Sequence, residues 1–328
     1  MRKDPDRYPQ RGVPHKGQGM TVDDSWKLAA KEDALRRRAR MIRAIRRFFQ
    51  DQDFLEVETP LRIPAPAPES HIDAVASGEW FLQPSPELCM KRLLAAGYQR
   101  IFQICKCFRA GERGDRHLPE FTMLEWYREG TDYRTLMDDC EALITLVASE
   151  LGIDGIFSRQ GREIRLGIPW ERITVREAFR RYATMTAAEA LRTDRFDEIL
   201  ACDVEPHLGM ESPVFLYEYP AELGALARVK EGDPGIAERF ELYCAGLELA
   251  NAFSELTDAR EQRRRFEEAS RDRRRNGSPL YPMPERFLAA LPQMSPSAGI
   301  ALGVDRLAML LADKFRIDEV VAFTPESL

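Results

Sequence analysis

The stretch IFQICKCFRAGERGDRHLPEFTMLEWYR, residues 101–128, reads as two strands around a polar loop. From Ile101 to Arg109 the side chains alternate. Gln103, Cys105, Cys107 and Arg109 share one face, and Phe102, Ile104 and Phe108 the other. The same period over residues 120–127 puts Phe121, Met123, Glu125 and Tyr127 together. Paired antiparallel, the two runs offer an Arg, an aromatic ring, a carboxylate and a phenol on one surface. That set suits an anion, a flat ring and an ammonium bound side by side.

Two later stretches extend this surface. Residues 239–255, RFELYCAGLELANAFSE, read as a hairpin turning at Ala245-Gly246. Pairing sets Tyr243 opposite Glu248, with Glu241 diagonal to Glu248 at roughly 7–8 Å, within reach of Mg²⁺ on bridging phosphates. A half-solvated hairpin with two surface acids fits the same pattern. Residues 297–315, SAGIALGVDRLAMLLADKF, read as a Gly-rich strand feeding a helix, with Asp305 near its cap. Gly299 and Gly303 would let a ligand approach closely.

Upstream, apolar residues at helical spacing predict an Arg-rich helix over residues 34–49 and a strand over 54–60 that Pro60 stops. A strand at 80–83 leads to Ser85-Pro86-Glu87 and a helix over 88–97, with Ser85 as N-cap and Pro86 at the first helical position. Between residues 131 and 240 the pattern predicts helices over 136–151, 175–182 and 187–200 and a strand over 214–218. That region shows no catalytic constellation and is expected to brace the sheet. Thr257-Asp258 should start a charged helix that Asn276-Gly277 ends. Residues 317–323 read as a last strand. Residues 1–25 are polar and aperiodic and read as a disordered tail, leaving residues 26–328 as one domain.

Composition excludes several classes. A net charge of −6 gives no global basic bias of the kind nucleic-acid binders show. There is no run of 18 apolar residues and no signal peptide, so no membrane partner and a cytoplasmic location are expected. Six scattered Cys make no disulfide framework, and the Cys105-x-Cys107 spacing is wrong for a zinc knuckle.

The run FRAGERGDRHLPEFTMLEWY resembles motif 2 of class II aminoacyl-tRNA synthetases, in the lysyl subgroup. The helix–strand–Pro layout resembles motif 1, and Gly-x-Ala-x-Gly-x-Asp-Arg (Gly299 to Arg306) resembles motif 3. The resemblance implies an α+β fold, a mainly antiparallel sheet flanked by helices, and a homodimer formed through motif 1. It implies ATP and Mg²⁺ as cofactors, with catalytic Arg109 joining the amino-acid carboxylate to the α-phosphate. Phe121 and catalytic Arg306 would sandwich adenine. Gly111, Glu112, His117, Leu118, Leu249 and Gly303 would attend the nucleotide, and Glu241 and Glu248 would hold metal.

For the amino acid, the resemblance implies Ser85, Pro86 and Glu87 at the α-ammonium, with Asn251 in the pocket. Glu255, with Glu125 and Tyr127, would take the side-chain ammonium. Ala301 stands where lysyl-tRNA synthetases have Gly. Ser85 replaces Ala, Ala252 replaces Gly, and Leu118 replaces Asn. The motif 2 loop reads Arg109-Ala110-Gly111-Glu112 instead of Arg-Asn-Glu.

An anticodon-reading OB-fold, on the order of a hundred residues, has no room before a core that begins near residue 30. The chain therefore resembles the free-standing lysyl-synthetase paralogues that ligate (R)-β-lysine to a lysine of elongation factor P. That family implies (R)-β-lysine or lysine and elongation factor P as substrates, and no tRNA. A truncated enzyme that charges tRNA, or a non-catalytic paralogue that binds amino acid only, are the alternatives. No general base for the transfer step stands out.

Overall fold

The computed structural model describes residues 22–328 and is organised on one nine-stranded sheet. Its strands are β1 (Leu55–Glu56), β2 (Arg100–Phe108), β3 (Glu120–Glu129), β4 (Glu171–Thr174), β5 (Val214–Pro220), β6 (Val229–Lys230), β7 (Asp233–Cys244), β8 (Leu247–Ser254) and β9 (Ser297–Gly303). The order is β1-β2-β3-β9-β8-β7-β5-β4, with β6 on the side of β7. Only the outer pairs β1–β2 and β4–β5 are parallel. The α+β, mainly antiparallel expectation holds. So does the pairing of the opening stretch, in which Cys107 faces Phe121 and Gln103 faces Glu125.

One face of the sheet is dry. α1 (Glu32–Gln50), α3 (Tyr133–Glu150) and α5 (Val304–Leu311) lie among its core residues. Alternation explains the seam: Leu124 and Trp126 of β3 point into it, and Trp126 packs on Phe49 with ring centroids 5.2 Å apart. At roughly 25 cal/mol per Å² of apolar area, an indole or phenyl buried to this degree is worth about 2–3 kcal/mol. The other face carries Glu125, Tyr127, Asn251 and Phe253, and is partly roofed by α2 (Glu87–Ala95) and α4 (Ala259–Arg275).

Several expected elements differ. The strand at 54–60 pairs only over Leu55–Glu56; after Val57 donates to Phe102 O the chain leaves the sheet toward Pro60. The helix at 187–200 breaks into Ala187–Arg192 and Phe196–Ile199, because Asp194 adopts φ 54° between them. The strand at 317–323 is a 3₁₀ turn, Ile317–Glu319; Ile317 N–H is spent on Asp115 O of the motif 2 loop rather than on a ladder. Asp258 caps α4 as expected, accepting from Arg260 and Glu261 N–H. Ala245 and Gly246 both take positive φ, as a two-residue hairpin requires. Most of the expected tail, residues 1–21, lies outside the described residues, and a short helix, Val22–Ala29, begins within its last positions.

Candidate active site

Sheet register places the pocket residues in rows. Asn251 on β8, Ala301 on β9 and Glu125 on β3 are successive partners; two residues along, Phe253, Gly299 and Tyr127 repeat the row. Gly299 is required there. A Cβ would run into the Tyr127 ring and the Glu255 carboxylate.

The deep end of this pocket is acidic. Glu125 is buried, accepting from Ser85 Oγ at 2.8 Å and from Tyr127 OH at 2.6 Å. Glu255 is 1% exposed, and its Oε1 has no hydrogen-bond partner among the described residues. Its other oxygen is ion-paired to Lys91, itself 1% exposed, whose ammonium also meets Glu87 Oε1 at 2.6 Å and lies 4.8 Å from the Phe253 ring centre. Burial, then the charge of Glu87, pushes the Glu125 carboxyl up to about 8. Burial pushes Glu255 to about 8 as well, even against the lowering pull of Lys91. Carboxyls held this high want a further cation.

Ser85 sits where two demands meet. Its hydroxyl accepts Glu87 N–H at 3.0 Å while donating to Glu125. The helix formally begins one residue later than the N-cap reading placed it, with Pro86 at the cap position.

The open end of the pocket is cationic. A cavity of about 230 Å³ runs from Ser85, Glu87, Glu125 and Tyr127 to Arg109, Glu112, His117, Phe121, Glu248 and Arg306. Arg109 lies over the Phe121 ring, 5.1 Å from its centre, and is held only by a 3.4 Å bond to Pro84 O and a 3.8 Å ion pair with Glu112. Arg306 is fixed, donating to Glu248 O at 2.9 Å and Glu248 Oε2 at 3.0 Å. Its Nη2 is 2.5 Å from His117 Nε2, so the imidazole must be neutral with its proton on Nδ1. Partial burial and the Arg306 charge lower the His117 pKa to match.

Not every expected residue reaches this cavity. Leu249, Asn251, Ala301 and Gly303 line it, and so does an edge of Leu118, whose bulk belongs to the main core. Pro86 and Gly111 do not line it, and Glu255 lies beneath its floor. Gly111 is exposed at φ 78° and serves the turn.

Tyr243 pairs with Glu248 as expected, but Glu241 lies one residue further from Glu248 along the facing strand than a regular ladder would place it. A bulge at Leu249 shifts the register so that Glu241 faces Asn251. The same bulge lets Glu248 and Asn251, an odd number of residues apart, both face the site. Glu241 is fully engaged. Oε1 accepts from Arg239 at 2.5 Å and Asn251 at 3.3 Å, while Oε2 accepts from Tyr219 and Tyr243, each at 2.6 Å. It has no lone pair free for metal, whereas Glu248 keeps one oxygen outside its Arg306 pair. No group of three or more His, Cys, Asp or Glu among the described residues could hold a metal ion. A Mg²⁺ here would be brought by nucleotide phosphates and met by Glu248.

Sequence reasoning missed Lys91, Tyr219 and Arg239 at the site, and placed Tyr243 only by its pairing with Glu248. Lys91 had a signal, four residues after Glu87 on one helix face. Arg239 had one too, two residues before Glu241 on the same strand face, whereas Tyr219 had none, and the segment 131–240 that supplies it does more than brace the sheet. Cys105 and Cys107 are free thiols 3.9 Å apart.

A family model described as tRNA synthetases class II (D, K and N) matches residues 26–327. An elongation factor P–(R)-beta-lysine ligase of Pseudoalteromonas translucida is 40% identical over 314 residues, 91% of this chain and 97% of that protein. One of Edwardsiella ictaluri is 41% identical over 316 residues, 92% and 97%. One of Pectobacterium carotovorum is 40% identical over 325 residues, 94% and 99%.

Proposed function

The chain belongs to the class II tRNA synthetase family, in the branch of the elongation factor P–(R)-β-lysine ligases, and from that membership we propose that it activates (R)-β-lysine with ATP and transfers it to a lysine of elongation factor P. One observation carries the choice of amino acid. Glu125 and Glu255 are buried at the deep end with carboxyls pushed up to about 8, and Lys91 already answers Glu255 and Glu87. An amino acid with two ammonium groups supplies the positive charge that end lacks.

The substrate's carboxylate points toward Arg109 and its two ammoniums toward Glu87 and Glu125. Adenine binding moves Arg109 off the Phe121 face and brings its planar fork between carboxylate and α-phosphate. The carboxylate oxygen attacks the α-phosphorus, and the bond to the β,γ-phosphates breaks with its electron pair leaving as pyrophosphate. Arg306 and Arg109 offset charge on the phosphates, and the sheet rows fix the approach. Positioning and electrostatics are the whole of the catalysis. Glu248, with the nucleotide phosphates, would hold a Mg²⁺ ion that would further neutralise the phosphate charge. The homodimer implied by the motif 1 resemblance is supported by Leu55 in that segment and Leu61 just after it, each exposed. No helix among the described residues is long and apolar enough to cross a membrane.

The reading is tested by incubating the protein with ATP, (R)-β-lysine and elongation factor P, or with bulk tRNA. Intact-mass analysis should show one β-lysyl unit added to a lysine of the factor. Charging of tRNA in place of the factor would overturn it.

A further inference from the structure

Behind the activation pocket lies a larger groove of about 960 Å³, bounded by α4, β7 and the loop before α2. The two cavities share Glu69, Ile72, Glu87, Glu248, Asn251 and Phe253. Glu69 stands at this junction. Its backbone is pinned from below by Arg273 of α4, which is 1% exposed. That guanidinium donates to Glu69 O at 2.7 Å, Ile72 O at 3.0 Å and Asp73 Oδ1 at 2.5 Å. Asp73 O in turn accepts Ala110 N–H at 2.7 Å, tying the loop to the end of the Arg109 strand. A buried arginine thus fixes a half-buried loop carboxylate between two cavities, and no hydrogen bond among the described residues engages that carboxylate.

The groove has a second mark of an occupant. Gln262 lines it, is 1% exposed, and has no partner for either amide atom among the described residues. An amide left so pairs naturally with the N–H and C=O of a passing peptide.

We propose that the acceptor polypeptide lies in this groove and that Glu69 is the general base of the transfer step. The inference rests on the function proposed above. The acceptor lysine enters as the neutral amine, having left one proton in solvent. Its nitrogen attacks the acyl carbon of the adenylate. As the C–N bond forms, Glu69 takes the nitrogen's proton. The acyl carbon–oxygen bond then breaks, its electron pair leaving with AMP, and Glu69 returns the proton to water. Burial and the Glu87 carboxylate raise Glu69 to about 7, against the lowering pull of Arg109, Arg239 and Lys91, so its basicity suits neutral pH.

The test separates the two half-reactions. In Glu69→Gln, (R)-β-lysine-dependent pyrophosphate exchange should persist. Single-turnover transfer from preformed adenylate to elongation factor P should fall on the order of 10²-fold. In the wild type, transfer should gain an extra pH dependence below about 7, which the variant lacks and Glu69→Asp keeps. Unchanged transfer, or exchange and transfer falling together, overturns the assignment. Absence of exchange in the wild type would instead overturn the function on which it rests. Gln262→Leu should raise the KM for elongation factor P and leave that for β-lysine alone; the same KM for the factor would remove it from the groove.

Discussion

The ammonium of Lys91 is ion-paired to the carboxylate of Glu255 beneath the amino-acid pocket, each group 1% exposed to solvent. The pair is shared: Lys91 also holds Glu87, the carboxylate that the synthetase resemblance assigns to the α-ammonium. One buried cation therefore links the two ends of the ammonium-binding surface.

Lys91→Met should be costly. Removing one partner of a buried pair typically costs about 3–5 kcal/mol, since the orphaned charge stays buried. Here two carboxylates are orphaned at once. Urea unfolding should show the loss most fully at pH 9.5 and less of it at pH 6, because the Glu255 carboxyl, at about 8 even with Lys91 beside it, is protonated at pH 6. An unchanged midpoint at pH 9.5 would mean the pair is solvated in solution.

Glu125 and Glu255 make substrate binding a proton-release reaction. Their folded pKa values, about 8, lie above the ordinary 4.5, so between those values the free folded protein holds protons that the unfolded chain has lost. Stability from these two groups therefore falls as pH rises from about 4.5 to 8. A bound diammonium substrate pulls both toward ionisation. At pH 7 the calorimetric enthalpy of (R)-β-lysine binding should depend on the buffer's ionisation heat, with protons released, and affinity should rise with pH up to about 8. Glu125→Gln should reduce the release. A buffer-independent enthalpy would contradict the high carboxyl pKa values.

The sequence made the sheet and most of the site legible, and the failures have physical causes. Alternation over 101–109 and 120–127 fixed one strand pair, and the Ala245-Gly246 turn fixed the other. What alternation could not see was the bulge at Leu249, which set Glu241 opposite Asn251 instead of Ala250. A strict two-residue period has no term for one extra residue. Nor could it see side-chain traffic between distant segments. Tyr219 reaches Glu241 only after the two strands have paired, and Arg273 reaches the loop at Glu69 from two hundred residues away. Residues 317–323 are apolar enough for a strand, but Ile317 N–H meets the loop at Asp115 and the N–H groups of Glu319 and Val320 close a 3₁₀ turn instead of joining a sheet edge.

Ala301 sits between Asn251 and Glu125 in the row that crosses the pocket floor. If the amino acid binds as the synthetase resemblance implies, this methyl would take space beside its backbone end, where an α-amino group branches and a β-amino group does not. A difference of one methylene is worth about 1–3 kcal/mol, or roughly 10- to 200-fold in selectivity. Ala301→Gly should raise kcat/KM for α-lysine and change that for (R)-β-lysine less. An unaltered ratio of the two would take selection away from Ala301 and leave it with Ser85 and Glu87.

The central claim is that this pocket forms an aminoacyl-adenylate from a diammonium amino acid through the Arg109 fork. Exchange of labelled pyrophosphate into ATP measures that step alone, with no acceptor present. The wild type should exchange when (R)-β-lysine is supplied, and Arg109→Ala should lose exchange while its melting temperature stays near that of the wild type. Exchange that ignores the amino acid, or that survives in Arg109→Ala, would contradict the account.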